Sequence, residues 1–347
     1  QTQGAAGSQQ SGQTSGGGEA SGVPSLESAG SASGMRSNQQ LRNQCQVGEA
    51  AACMKLAKRY ATGEGADRDV QRAAELFERS CSQGMARACF NAALMYERGM
   101  GGLETSVTKA TELYEQACDK GEGKACHNLA VSYARGEGVE VSEEKAVRYY
   151  RAGCQAEEMQ SCFNLAVMFN DRGEPSMQTQ AIPLFEKACE GGDATACLNA
   201  GLLLRSPLGE TMDPKPSRAA VLFEQACEGG STAGCTELGR QAATGTGVSQ
   251  DLERAARLFR QACESDSASA CAFLAGLHAE GRGVEQNETR ALTLYRRACE
   301  GGEPAGCFNV GVFYRTGRGG VEEASGERAS EYFQRACDMG MKRACGK

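Results

Sequence analysis

The chain has 347 residues, 40% of them hydrophobic and 23% charged, with a formal net charge of −7. No basic run accompanies that acidic balance, which argues against nucleic acid or an anionic membrane surface as a partner. No apolar run reaches the roughly 18 residues of a membrane span, and 18 cysteines, an even number, point to disulfides and an oxidising compartment.

Residues 1–38 are almost entirely Gln, Gly, Ser, Ala and Thr. Such a segment cannot bury enough apolar surface to offset its ordering entropy, so it reads as a disordered tether. With no initiating Met and no apolar leader core, the chain reads as already processed, and a removed signal or a lipid anchor upstream of Gln1 is the expectation.

From about residue 39 to residue 347 the chain is periodic. The cysteines pair at a fixed spacing: Cys45/Cys53, Cys81/Cys89, Cys118/Cys126, Cys154/Cys162, Cys189/Cys197, Cys227/Cys235, Cys263/Cys271, Cys299/Cys307 and Cys337/Cys345. Successive first cysteines lie 35 to 38 residues apart, the signature of a solenoid of stacked supersecondary units. An Ala stands eight residues before the first cysteine (Ala73, Ala110, Ala146 and onward to Ala329). An aromatic stands four before it (Phe77, Tyr114, Tyr150 and onward to Phe333). Spacings of three and four place these on one helical face. Small or apolar residues three and four positions after the second cysteine (Leu129/Ala130, Leu165/Ala166, Leu274/Ala275), with a ring at the seventh (Tyr60, Tyr96, Tyr133, Phe169, Tyr314), define a second helix.

The prediction is an all-α, right-handed superhelix of αα-hairpins, with small residues forming holes for neighbouring rings. It comprises about eight full hairpins and a partial C-terminal one that stops at Cys345-Gly-Lys without its second helix. Glycine pairs at 63/65, 136/138, 245/247, 281/283 and 317/319 read as helix C-caps and turns. None extends to a phosphate-binding GxGxxG. Residues 202–218 lose this turn and carry three prolines, which predicts a longer, irregular loop.

Each cysteine pair is expected at the facing ends of two antiparallel helices joined by a tight turn, where a Cα separation near the ~5.5–6 Å of a disulfide is attainable. Zinc is not expected: C-x₇-C with two histidines supplies no four-ligand cluster. No cofactor is expected.

The Lys/Arg-Ala…Leu-aromatic…Ala-Cys run, the Ala125–Ala130 start and the Tyr133–Val139 end resemble the Sel-like repeat, a tetratricopeptide-like hairpin. The unvarying C-x₇-C is similar to the cysteine-rich branch typified by the Helicobacter cysteine-rich proteins. The resemblance implies secretion, periplasmic location or outer-membrane tethering, and one disulfide inside each hairpin. It also implies a concave groove that takes a protein or peptide.

That branch also carries a β-lactamase-like or penicillin- and peptidoglycan-binding description. Ser106-Val-Thr-Lys109 and Ser142-Glu-Glu-Lys145 match S-x-x-K, but no K-T-G or S-D-N completes a serine β-lactamase site. Both serines precede a helix and read as N-caps. His127 and His278 lie in different repeats; His278 occupies the ring position of Tyr133 and Tyr314 and reads as a packing substitute. Asn287 opens a lone glycosylation sequon and reads as another N-cap.

Asn91, Asn128, Asn164, Asn199 and Asn309 recur two residues after the second cysteine. Asn is a mediocre helix former, so its repetition calls for a reason. Two are open: a hydrogen bond to the neighbouring turn, or an amide ladder lining a groove for an extended ligand. The functional expectation is an exported, non-catalytic, disulfide-stapled scaffold. The alternatives are the β-lactamase-like reading and an intermembrane-space assembly factor.

Overall fold

A computed structural model describes residues 37–206, 209, 212–321 and 323–347. The tether reading of residues 1–38 lies outside the described residues as far as residue 36; Ser37 and Asn38 instead open the first helix, because the Asn38 side chain is buried and donates to the Gly65 carbonyl. Seventeen α-helices and no strand occur among the described residues. The first is α1 (residues 37–46). It is followed by α2 (Ala50–Thr62), α3 (Val70–Ser82), α4 (Ala86–Arg98), α5 (Val107–Asp119), α6 (Gly123–Arg135), α7 (Glu143–Gln155) and α8 (Met159–Asp171). Then come α9 (Pro175–Glu190), α10 (Ala194–Arg205), α11 (Pro216–Glu228), α12 (Thr232–Thr244), α13 (Leu252–Glu264), α14 (Ala268–Glu280), α15 (Glu288–Glu300), α16 (Pro304–Thr316) and α17 (Gly326–Asp338). A short 3-10 turn, Lys342–Ala344, follows α17 ahead of Cys345.

Every helix packs on its neighbours in sequence, so the core is a column running along the solenoid. The rings four before the first cysteine are all buried, as are the alanines eight before it. Their sockets are the small residues four after the second cysteine. A Cβ on Gly201, Gly239 or Gly311 would lie 2.6, 2.7 or 2.8 Å from the ring of Phe223, Phe259 or Phe333 on the next helix. At these three glycines even a Cβ would collide with the ring, and the other repeats carry nothing larger than Ala at the same place.

The polar punctuation agrees with the capping rules. Asp69, Ser106, Ser142, Asp251, Asn287 and Ser325 each accept a backbone N–H three residues on and start odd-numbered helices. Gly63, Gly99, Gly136, Gly245, Gly281 and Gly317 close even-numbered helices in the left-handed region.

The second glycine of the Gly-x-Gly turn has a separate job. A Cβ on Gly138 would sit 1.9 Å from Val107 Cγ1, and one on Gly247 or Gly283 would sit 2.4 Å from the carbonyl carbon of Pro216 or Leu252. Those partners are the first residues of α5, α11 and α13. The turns after α6, α12 and α14 therefore seat their backbone on the starts of α5, α11 and α13.

The loop predicted over 202–218 is shorter than expected, since α10 runs on to Arg205 and α11 starts at Pro216; residues 207, 208, 210 and 211 between them lie outside the described residues. Pro216 occupies the first turn of α11, and the Lys215 N–H donates to the Leu204 carbonyl at 2.8 Å.

Candidate functional site

All nine cysteine pairs are bridged, and none of the cysteines is free. The bridges are Cys45–Cys53, Cys81–Cys89, Cys118–Cys126, Cys154–Cys162, Cys189–Cys197, Cys227–Cys235, Cys263–Cys271, Cys299–Cys307 and Cys337–Cys345. Their Cα separations, from 4.5 Å at Cys227–Cys235 to 5.0 Å at Cys337–Cys345, are shorter than the ~5.5–6 Å expected but within the permitted range. The cause is the turn. The third residue after each first cysteine is left-handed, and its N–H donates to that cysteine's own carbonyl, as Gly84 does to Cys81 at 2.9 Å. Glycine fills this place everywhere except Glu157 and Asp266. The turn closes so tightly that the two helices come into bridging range without displacement.

The second cysteine of each of the first eight pairs closes the first turn of its helix, at the end that faces its partner. Cys53, Cys126, Cys197 and Cys271 are the fourth residues of α2, α6, α10 and α14. Cys89, Cys162, Cys235 and Cys307 hold the same place in α4, α8, α12 and α16. All eight are buried, with Cys53, Cys126, Cys197 and Cys271 no more than 3% exposed. The reason is helical phase. The small residues three and four positions further on face the core, so the fourth residue of the helix shares their stripe. These sulfurs are therefore core packing and not ligand-accessible groups.

This frame holds the even-numbered helices side by side on one face of the solenoid. Asn91, Asn128, Asn164, Asn199 and Asn309 all stand on that face, each half-buried. Three residues beyond the first four, one helical turn along, stand Leu94, Val131, Val167 and Leu202, also half-buried. From α4 to α10 the face therefore carries paired rows, one of amides and one of aliphatic side chains.

Hollows open on it at both ends. One, between α2 and α4, is lined by Lys55, Arg59, Asn91 and Leu94; another of about 500 Å³ is lined by Arg240, Phe273, Glu303 and Asn309. At α12 and α14 the amide is replaced by Glu237 and Phe273. Glu237 pairs with Arg205 and Arg240, and Phe273, 41% exposed, stacks on Phe259 with Arg240 over its ring.

One asparagine amide has a partner that the sequence alone did not identify. Asn164 Nδ2 donates to the Tyr150 hydroxyl at 3.4 Å, within its own hairpin and not to a neighbouring turn. At the matching position beside Asn128, the Tyr114 hydroxyl donates to Glu97 Oε2 at 3.1 Å. Burial holds the Tyr114 and Tyr150 hydroxyls above the ordinary tyrosine pKa, against the lowering effect of the amide donors. Both phenols thus remain protonated, and Tyr150 accepts from its amide. The corresponding rings beside Asn91 and Asn199 are Phe77 and Phe185, which offer no hydroxyl.

The other candidate residues have separate structural partners. Ser106 and Ser142 accept from the Lys109 and Lys145 backbone N–H groups at 3.3 Å, as N-caps. The Lys109 ammonium meets Glu78 at 2.7 Å and the Tyr96 hydroxyl at 2.8 Å, and Lys145 lies over the Tyr133 ring. Neither lysine is placed as a base on its serine. Asn287 caps α15 through the Arg290 N–H.

His127 contacts Ser161 Oγ at 3.3 Å, and burial lowers its pKa. His278, 4% exposed, packs in the core with Nδ1 against the Glu285 carbonyl at 3.1 Å. Among the described residues no cluster of three or more His, Cys, Asp or Glu side chains could hold a metal, and no helix is long and apolar enough to cross a membrane.

Fold and bridges together define an αα-hairpin solenoid stapled by one disulfide per repeat length. The chain belongs to the Sel1 repeat family: eight consecutive matches to that repeat cover residues 50–85, 86–122, 123–157, 160–193, 194–231, 232–267, 268–303 and 304–341. Sel1 repeats generally mediate protein interactions.

Against solved structures, the chain is similar to a protective antigen of uropathogenic Escherichia coli with an SLR fold (25% identity, TM-score 0.70). The match covers 88% of this chain and 65% of the antigen, so the chain spans less than two thirds of that relative. A Sel1 repeat protein from Oxalobacter formigenes shares the fold at 18% identity and TM-score 0.60, with 91% of each chain covered. Cysteine-rich protein B of Helicobacter pylori matches at 29% identity over 37% of this chain and 91% of its own, with a TM-score of 0.31. No curated protein matches.

The family frame changes how the bridges read. Within a helix pair joined by a tight turn, each bridge lies inside one hairpin. Counted by Sel1 repeats, Cys81–Cys89 joins the first match to the second, and Cys118–Cys126 the second to the third. Cys154–Cys162, Cys189–Cys197, Cys227–Cys235, Cys263–Cys271 and Cys299–Cys307 likewise cross junctions between consecutive matches. Cys45 precedes the first match, so Cys45–Cys53 ties α1 onto it. The disulfides therefore staple repeat to repeat. Bridges in every repeat point to a non-cytoplasmic protein.

Proposed function

We propose that this chain is an exported scaffold that binds an extended segment of a protein or peptide along the even-helix face, in the periplasm or at the cell surface. The observation that carries this reading is the paired row running from α4 to α10, Asn91, Asn128, Asn164 and Asn199 beside Leu94, Val131, Val167 and Leu202. An amide both donates and accepts, and so matches the backbone of an extended chain, while an aliphatic row accepts its alternate side chains. The long Asn164–Tyr150 bond uses one amide N–H and leaves the amide oxygen for a ligand. Disulfides that lock repeat to repeat keep the row in register before binding, which reduces the ordering cost of association.

The test is a double substitution, Asn128→Ala with Asn164→Ala, examined with a peptide selected by display on the native chain. Binding should weaken at least ~10-fold, while stability falls by no more than ~1 kcal/mol per site. A photocrosslinker at Val131 should capture the peptide, and one at the exposed Glu144 of α7 should not. Unchanged affinity in the double variant, or capture only from α7, would remove the even-helix face as the binding site.

A further inference from the structure

The odd-helix side of the solenoid carries a second periodic feature. In each unit three positions converge: the residue three before the first cysteine, the ring position seven after the second, and the basic residue nine before the next first cysteine. In the second unit these are Glu78, Tyr96 and Lys109, tied together as an ion pair bridged by the tyrosine hydroxyl. Glu186 pairs with Arg218, and Glu224 with Arg254, in the same register. In these three units acid on one odd helix and base on the next thus neutralise each other.

At α13–α17 the acid is replaced by arginine in two successive units. The three positions become Arg260, His278 and Arg290, then Arg296, Tyr314 and Arg328. Among the described residues none of these four guanidinium groups forms an ion pair. Arg296 donates to the Tyr314 hydroxyl at 2.7 Å, and Arg328 lies over the same ring. One unit earlier the histidine ring carries no hydroxyl to accept from the arginine. There, Arg260 Nε and His278 Nε2 are each buried without a protein partner. Arg290 and Arg328 are exposed. A chain of net charge −7 thus presents a pair of bases in each of two adjacent units here; the first unit, Arg42, Tyr60 and Arg72, repeats the arrangement singly at the other end, and the fourth, Arg151, Phe169 and Gln180, holds one base and no acid.

We propose that this strip, Arg260, Arg290, Arg296 and Arg328, docks an acidic polypeptide segment in extended conformation. Arginine forks match carboxylates bidentately. Odd helices packed in successive units stand about 10 Å apart, and three residues of extended chain span about 10 Å. Carboxylates at every third residue would therefore meet one arginine pair per unit. An anionic membrane would face the acidic remainder of the surface as well as the strip, whereas a narrow acidic segment meets only the strip.

The probe is a labelled synthetic peptide with glutamate at every third position, titrated into the full oxidised chain. It should bind, weaken as NaCl rises from about 50 to about 300 mM, and lose at least ~10-fold affinity in the Arg290→Glu/Arg328→Glu variant. Lys109→Gln, in a distant neutralised unit, and the double asparagine variant of the even-helix face should stay within about twofold. Both arginines are exposed, so melting should be unaffected; if the glutamate variant fails to fold, Arg290→Gln/Arg328→Gln carries the same comparison. Equal binding of a peptide with glutamine for glutamate would overturn the proposal. So would capture of anionic vesicles or tripolyphosphate but not the peptide, no binding at all, or indifference to both arginine variants.

Discussion

Replacing Cys154 and Cys162 by alanine should cost about 2.5 kcal/mol, the chain-entropy contribution of closing a loop of this length. The effect should be local in space. In a solenoid each unit leans only on its neighbours, so stability is a sum of unit and junction contributions. The bridge crosses the junction between the matches at 123–157 and 160–193, so its loss uncouples the two halves of the array there. Hydrogen exchange should show amides of α7 and α8 opening roughly sixtyfold faster, with α15 and α16 unchanged. A uniform acceleration along the whole chain would show that the bridges act on a single global unfolding event and not junction by junction.

Gly283→Ala should be at least as damaging, and Gly65→Ala much less so. Both glycines are left-handed, with φ of +68° and +73°, and alanine there costs about 1–2 kcal/mol for conformation alone. They differ in what surrounds them. A Cβ at position 283 would lie 2.4 Å from the Leu252 carbonyl carbon, backbone that opens α13, whereas one at position 65 meets nothing within 4 Å. Forcing the turn away from α13 adds about 1–3 kcal/mol, for a total near 3 kcal/mol. Thermal melts of the two variants against the parent measure the difference directly. Equal losses would mean that the turn does not need to seat on the preceding odd helix.

Much of this architecture is legible in the sequence because each requirement repeats. A ring that must enter a socket appears at Phe77, Tyr114 and Phe223, and the socket appears as Ala93, Ala130 or Gly201, so one-dimensional spacing carries the packing. The caps at Ser106, Ser142 and Asn287 are equally readable, since a hydroxyl or amide ahead of an apolar run has a local job. What the sequence withholds is phase and partner. A periodic pattern does not say which neighbouring helices make one repeat, so the bridges' passage across Sel1 junctions emerges only with the fold.

The asparagine row was visible, but not its partner. The ring hydroxyl of Tyr150 lies fourteen residues before Asn164, a distance that only the closed hairpin converts into contact. The aliphatic row at Leu94, Val131, Val167 and Leu202 left a usable signal, three residues after each asparagine. The acid–base alternation on the odd helices left one too, in the residue three before each first cysteine. Both were obscured because exposed positions vary more freely than the core positions that announce the repeat.

The central claim, a solenoid stapled at every junction by its own cysteines, is tested most directly by intact mass. Protein recovered from its native host without reductant is alkylated under denaturing conditions, before and after reduction. No alkylation is predicted before reduction, and eighteen labelled thiols after it. Labelling of the native-state cysteines before reduction would contradict the staples and, with them, the non-cytoplasmic location.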